Sequence, residues 1–250
     1  MTENEILQVY MHLSENVRAL GKVKDGIIKD INYQIRKQDE FQISIKTKLL
    51  AFLYSAWSEA QFLQIAYTPN AFYFTEIQKI KAVKELRGIG VGWNYMLETA
   101  IQKVGDVKNN SDLKSRLATL LQLVQNYVKE PSTIRNKLAH GQWVVALNGE
   151  NTRKNEELTT EILQLDSVKI EKQFQVHLYL GFIVRDLVQS PKAGFHTHYW
   201  TNIVNLEKYL KKTQGWNTQT KRNKLIVKPI KPKAPEAKST TDSAEIRSAL

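Results

Sequence analysis

Apolar residues recur at spacings of three and four along most of this chain, and that period predicts helices. Residues 3–20 place Ile6, Val9, Tyr10, Leu13, Val17 and Leu20 on one stripe, predicting an amphipathic helix that ends near Gly21. Residues 22–40 are more polar, but Ile27, Ile28, Ile31 and Ile35 share a stripe and predict a second helix. From about Ser44 to Tyr67 the run is apolar almost all round, as expected of a helix buried in a bundle. Glu59 is its exception, a carboxylate amid Trp57, Phe62 and Leu63. It fits either an exposed outer stripe or an ion pair with a cation from another element.

Thr68-Pro69-Asn70 breaks the long helix, and Glu76 to Arg87 predicts the next. Gly88, Gly90 and Gly92 follow at alternate positions. No strand precedes them and no Gly-Lys-Ser/Thr follows, so they predict a hinge between helices rather than a phosphate loop. Trp93–Val104 and Ser111–Lys129 complete the first half, the latter striped by Leu113, Leu117, Leu120, Leu121, Val124, Tyr127 and Val128. Trp143–Leu147 and Leu158–Leu163 flank a polar stretch containing Asn148-Gly149, a pattern that predicts an appended β-hairpin with a long loop. Val168 to Gln189 predicts a core helix stopped before Pro191, and a further helix starts in Phe195–Trp200 and continues through Asn202 to Lys212. His196 and His198 form a His-x-His pair in its start. With no acidic or thiol ligand nearby, the pair suits a helix start better than a metal site.

The pattern gives a mainly α fold: an up-and-down helical bundle over residues 1–214, a small β-hairpin, and a basic, disordered C-terminal tail over 215–250. Charge sharpens the last point. Of the net charge of +11, residues 208–238 hold ten Lys/Arg against Glu236 alone. That tail, with Lys221, Arg222 and Lys224, serves either to attract a polyanion such as RNA or as a solvated extension. Cysteine is absent, which excludes disulfides and thiolate metal sites. No apolar run approaches the ~20 residues of a membrane span, and the acidic start Met1-Thr2-Glu3-Asn4-Glu5 is unlike a signal peptide. A soluble, cytoplasmic protein without membrane partners is expected.

The candidate chemistry lies in Ser132-Thr133-Ile134-Arg135-Asn136-Lys137-Leu138-Ala139-His140-Gly141-Gln142-Trp143. Pro131 precedes this stretch, Ser132 or Thr133 suits a helix N-cap, and Gly141 suits a left-handed stop. A short helix follows, with Arg135 near its start and His140 in its last turn. Ile134 and Leu138 share one face and point to the core. Asn136 and His140 lie one turn apart, so the amide can orient the imidazole. Arg135 and His140 are about 140° out of phase. Either the arginine curls round, or two copies of the helix share one cleft, which favours a two-fold dimer.

A histidine that titrates near neutrality and a permanently charged, planar arginine make a set suited to cutting RNA. No metal or other cofactor is needed where the nucleophile is the neighbouring 2′-hydroxyl. The same spacing also fits a solvated arginine and a histidine that caps a helix C-terminus.

Arg135-Asn136-Lys137-Leu138-Ala139-His140 resembles the signature of the HEPN superfamily, an arginine and a histidine four to six residues apart with a polar residue after the arginine. The resemblance implies a helical domain, often a metal-independent endoribonuclease of toxin–antitoxin, abortive-infection or other antiviral systems, and a homodimer with a composite site. It assigns Arg135 and His140 to the catalytic pair and Asn136 to the polar companion. Glu59 is the acidic residue expected on the packing helix, holding Arg135 or His140, and Lys137 is an added RNA contact. RNA and an antitoxin or other regulatory protein are the implied partners; the alternative is a non-catalytic HEPN-like RNA- or protein-binding module. One toxin branch carries a tyrosine two residues after the histidine, which its antitoxin modifies. This chain has Gln142 there.

Overall fold

A computed structural model describes residues 1–227, and its regular elements are helices. The first is a single helix, α1 (Glu3–Lys37), where the pattern predicted two. Gly21 does not end it, because the apolar stripe keeps its phase across the glycine, from Val17 and Leu20 to Ile27, Ile28 and Ile31. Two glycines inside a helix cost about 1 kcal/mol each, which packing along the next helix offsets. Its start is held by a capping box: the Glu5 amide donates to Thr2 Oγ1 at 3.3 Å, and the Thr2 amide to Glu5 Oε2 at 2.7 Å. Gln38 and Asp39 turn the chain, and Asp39 caps α2 (Glu40–Ala66) through the Gln42 amide at 3.0 Å.

The centre of the bundle is α2, buried on most of its faces as its composition predicted. α1 lies along it on one side and α8 (Ser167–Gln189) on another. Between α2, α4 (Ile89–Ile101), α5 (Ser111–Val124), α8 and α9 (Gly194–Lys212) lies the larger core, around Phe62, Trp93, Met96, Leu180 and Tyr199. A second core of Ile31, Ile35, Leu50, Tyr54, Trp57 and Phe174 lies between α1, α2 and α8. α3 (Phe74–Arg87) meets α4 across Gly88 alone, the hinge expected there. Gly90 and Gly92 serve a different purpose. A Cβ on Gly92 would stand 2.6 Å from Lys84 Cβ, and one on Gly90 2.8 Å from Lys129 Cβ, so these glycines admit close approach of α3 and of the chain after α5.

The expected hairpin is absent among the described residues. One isolated antiparallel bridge joins Leu147, at the end of the first limb, to Lys154 in the polar stretch, and Glu156–Leu163, which takes in the second limb, is a helix, α7. Asn155 caps that helix through the Leu158 amide at 3.0 Å, and Glu156 and Glu157 suit its positive N-terminal end. Thr159 fastens the loop to it, accepting from the Ala146 amide at 3.0 Å. Part of the stretch expected to be a disordered tail is helical. Thr218–Ile226 forms α10, packed on α1 and α8, and residues 228–250 of the expected tail lie outside the described residues. His196 and His198 fall in the first turns of α9, which starts at Gly194 and runs on to Lys212, the helix start expected of the pair. Two residues apart on a helix, they point about 200° away from one another. No helix among the described residues is long and apolar enough to cross a membrane.

Candidate functional site

The motif does not start a new helix behind Pro131. α5 runs into a π-helical turn, Gln125–Lys129, and straight on into α6 (Glu130–Ala139), with the proline in its first turn. No side chain caps α6; Ser132 Oγ donates back to the Lys129 carbonyl at 2.6 Å. Proline offers no N–H to the carbonyl four residues earlier, which is that of Tyr127. The hydroxyl of Tyr54, on α2, donates to it instead. The Tyr54 oxygen also lies 3.2 Å from Nδ1 of His177 on α8. With the tyrosine proton committed to the carbonyl, the contact requires that His177 Nδ1 carry a proton and donate. His177 is enclosed by Tyr54, Trp57 and Trp93, and burial pushes its pKa down to about 3, so the ring is neutral. The same burial raises the Tyr54 hydroxyl above its ordinary range. A buried histidine and tyrosine thus fasten α2 and α8 to the turn from which the motif helix springs.

Four residues further on, Arg135 forms an ion pair with Glu59 of α2. The other carboxylate oxygen of Glu59 accepts from Lys84 of α3 at 3.2 Å. One carboxylate therefore lies between two cations from separate helices. Both ends of the Arg135–Glu59 pair are partly open, with 29% and 28% of the side chains exposed. Arg135 Nε is buried and has no partner among the described residues. Of the cations named for Glu59 from the sequence, the structure selects Arg135. Lys84 was missed, because a lysine at the end of an amphipathic helix looks like any solvated one. Its signal was indirect, in the small residue at Gly92 that lets the α3 backbone come close.

Ile134 and Leu138 face inward against Ala146 and Ile162, as their shared face predicted. α6 ends at His140, with Gly141 left-handed at φ 76°. The Gln142 amide donates to the Lys137 carbonyl at 3.0 Å, and the Gly141 amide to the Leu138 carbonyl at 3.1 Å. This is a Schellman ending, and glycine meets its left-handed requirement without a steric penalty. The His140 side chain is exposed there, and so is Asn136 one turn earlier. No hydrogen bond joins the two side chains among the described residues. Nor does the structure bring Arg135 and His140 of one chain together through any hydrogen bond. Gln142 clamps the following loop, its Oε1 accepting from the Leu147 amide at 2.8 Å. Trp143 Nε1 donates to the Leu138 carbonyl at 2.9 Å.

The residues expected to touch RNA are engaged within the fold. Lys137 Nζ donates to the Leu147 carbonyl at 2.7 Å. Lys221 pairs with Glu171, Arg222 with Glu40 at 2.6 Å, and Lys224 lies 3.8 Å from the centre of the Trp216 ring. These last three anchor α10.

The cluster can present a fixed cation beside an exposed imidazole and amide, on a helix held by two others. No group of three or more His, Cys, Asp or Glu side chains suited to a metal ion occurs among the described residues. No family model, curated protein or solved structure matches the chain.

Proposed function

We propose that this chain is a HEPN-type endoribonuclease that cleaves RNA through the ribose 2′-hydroxyl without a metal ion, in the manner of bacterial toxins and antiviral or abortive-infection proteins. The observation that carries the reading is the combination on α6 of Arg135, fixed by Glu59 yet partly open, with His140 and Asn136 exposed beyond it. In the reaction, a base takes the 2′-hydroxyl proton, the 2′-oxygen attacks phosphorus, and the 5′-oxygen leaves with a proton. The products are a 2′,3′-cyclic phosphate, or its 3′-phosphate, and a 5′-hydroxyl. His140 serves as general base or general acid, Arg135 stabilises the charge on the phosphoryl oxygens, and Asn136 orients the imidazole. Because Arg135 and His140 diverge on one helix, the working site is placed between two copies of the chain, each supplying a motif. RNA is the substrate, an antitoxin or other regulatory protein the natural restraint, and the cytoplasm the compartment.

Purified protein incubated with total RNA in EDTA, beside His140→Ala and Arg135→Ala, tests this directly. Cleavage is expected for the wild type, with loss of about two to four orders of magnitude in either variant. Arg135→Lys is expected to be poor as well, since an ammonium lacks the planar fork. Wild-type rates in a well-folded Arg135→Ala or His140→Ala protein would sink the assignment. One observation favours the alternative, a non-catalytic binding module: Glu59 already neutralises the Arg135 charge. Under that reading RNA or a partner protein binds, and nothing is cut.

A further inference from the structure

A lysine is rarely enclosed without a partner. Lys48, in the first half of α2, is only 4% exposed, yet it makes no ion pair and no side-chain hydrogen bond among the described residues. Burial pushes its pKa below the ordinary lysine value. Thr47 beside it is 3% exposed, and its hydroxyl likewise has no partner among the described residues. Ser44, Thr47 and Lys48 stand three and four residues apart, on one face of the helix. That face lines a cavity of about 200 Å³, about three turns before Glu59 on the same helix.

The rest of the lining settles what could enter. Glu40 is its one carboxylate among the described residues, and Arg222 of α10 pairs with it at 2.6 Å. The Thr218 hydroxyl is engaged as well, 3.1 Å from Ser167 Oγ. One positive charge, on Lys48, is therefore left uncompensated, with the Thr47 hydroxyl next to it. An enclosed charge without a counter-ion is costly. Ile43, Ile162 and Leu165 give the same cavity an apolar side. Its volume is below the roughly 300–1,000 Å³ of a drug-sized site, so its occupant has few heavy atoms.

We propose that this cavity binds a short aliphatic monocarboxylate. Its single negative charge matches that of Lys48, whose ammonium donates to one carboxylate oxygen while the Thr47 hydroxyl donates to the other. A chain of a few carbons lies against Ile43, Ile162 and Leu165. Inorganic phosphate is the poorer fit, since it has no apolar part for that side. The site is separate from the motif and does not rest on the ribonuclease reading.

An NMR titration of the full chain with butyrate tests the proposal, with acetate, the neutral butyramide and inorganic phosphate as further arms. Butyrate is expected to saturate a single site and to bind more tightly than any of the other three. Lys48→Met, close in length and without the charge, is expected to weaken it by about tenfold or more, as loss of a charge-assisted contact requires. Circular dichroism verifies that the variant is folded. A second measurement needs no variant: acetylation of Lys48 by acetic anhydride, followed by mass spectrometry, should be slowed by butyrate and not by butyramide. The proposal is overturned if butyrate does not bind, if acetate, butyramide or phosphate binds as tightly, if folded Lys48→Met binds like the wild type, or if butyrate leaves the acetylation of Lys48 unchanged.

Discussion

Arg135 meets its carboxylate across 76 residues of chain, and that distance in sequence shows what a short motif leaves open. The spacing of arginine and histidine on α6 is a local matter and was legible. So was Glu59 as an oddity, since a carboxylate inside an apolar helix demands a partner. The choice between its candidate partners needed the packing of α6 on α2. His177 was not legible at all: it lies inside an apolar run, where a histidine has no periodic signature. Its depressed pKa has a consequence for stability. The folded state keeps the ring neutral down to about pH 3, whereas the unfolded ring protonates near 6.5. Protons therefore favour the unfolded state throughout that window. Stability is whole above the unfolded pKa and falls by about 1.4 kcal/mol for each pH unit below it. Urea unfolding of wild type and His177→Gln from pH 7 to pH 4.5 should show a shallower decline in the variant, which keeps a donor for Tyr54 but does not titrate. Equal slopes would mean that the imidazole is hydrated in the folded protein.

At the scale of elements, the helical period placed most segments and misjudged their ends. Gly21 read as a stop because glycine is a common terminator. It was overruled by the apolar stripe, which stays in phase across it, and by burial of Ile31 and Ile35 beyond it. Pro131 likewise read as a boundary. The π-helical turn before it and the Tyr54 hydroxyl resolve the proline's missing hydrogen bond without breaking the rod. The stretch 158–163 was read as a hairpin strand, although a short apolar run has too few positions for its period to tell a strand from a helix. Asn155 and the two glutamates after it decide for the helix. Gly92 gives the element scale its test. An alanine there would meet the Lys84 Cβ at 2.6 Å and Cα at 3.0 Å, within a packed helix pair. Gly92→Ala should destabilise the protein by about 1–3 kcal/mol as an overpacking substitution and, by shifting Lys84, loosen its contact with Glu59. Thermal unfolding beside Gly21→Ala, whose Cβ would meet nothing within 4 Å, checks the claim. Gly21→Ala should be neutral or more stable by up to about 1 kcal/mol, because alanine is the better helix former; a Gly92→Ala protein no less stable than the wild type would show that α3 does not come this close.

For the whole molecule, the proposed reading has one chain supply half of the site. Arg135 is anchored toward α2, and His140 stands exposed at the far end of α6. Two antiparallel copies would bring an arginine and a histidine from each chain to one groove. Mixing inactive Arg135→Ala with inactive His140→Ala, under conditions where subunits exchange, is expected to restore part of the cleavage, because each mixed dimer keeps one of each residue on different chains. Sedimentation completes the test: a wild-type chain that cuts RNA as a monomer at assay concentration rules out the composite site.

The sequence by itself determined that the chain is helical, that α2 is its buried centre, and that the Arg135–His140 segment is a helix closed by Gly141. Each of these follows from local period, composition or cap chemistry, which neighbouring residues impose on one another. Tertiary structure decided the rest. It joined Glu59 to both Arg135 and Lys84, set Tyr54 and His177 under the motif helix, and folded Lys221, Arg222 and Lys224 back onto α10's own supports. Those outcomes depend on which helix faces meet. Many pairings of amphipathic stripes bury similar apolar area, and the chosen one follows from volumes and close approaches such as those at Gly90 and Gly92, which no local pattern records.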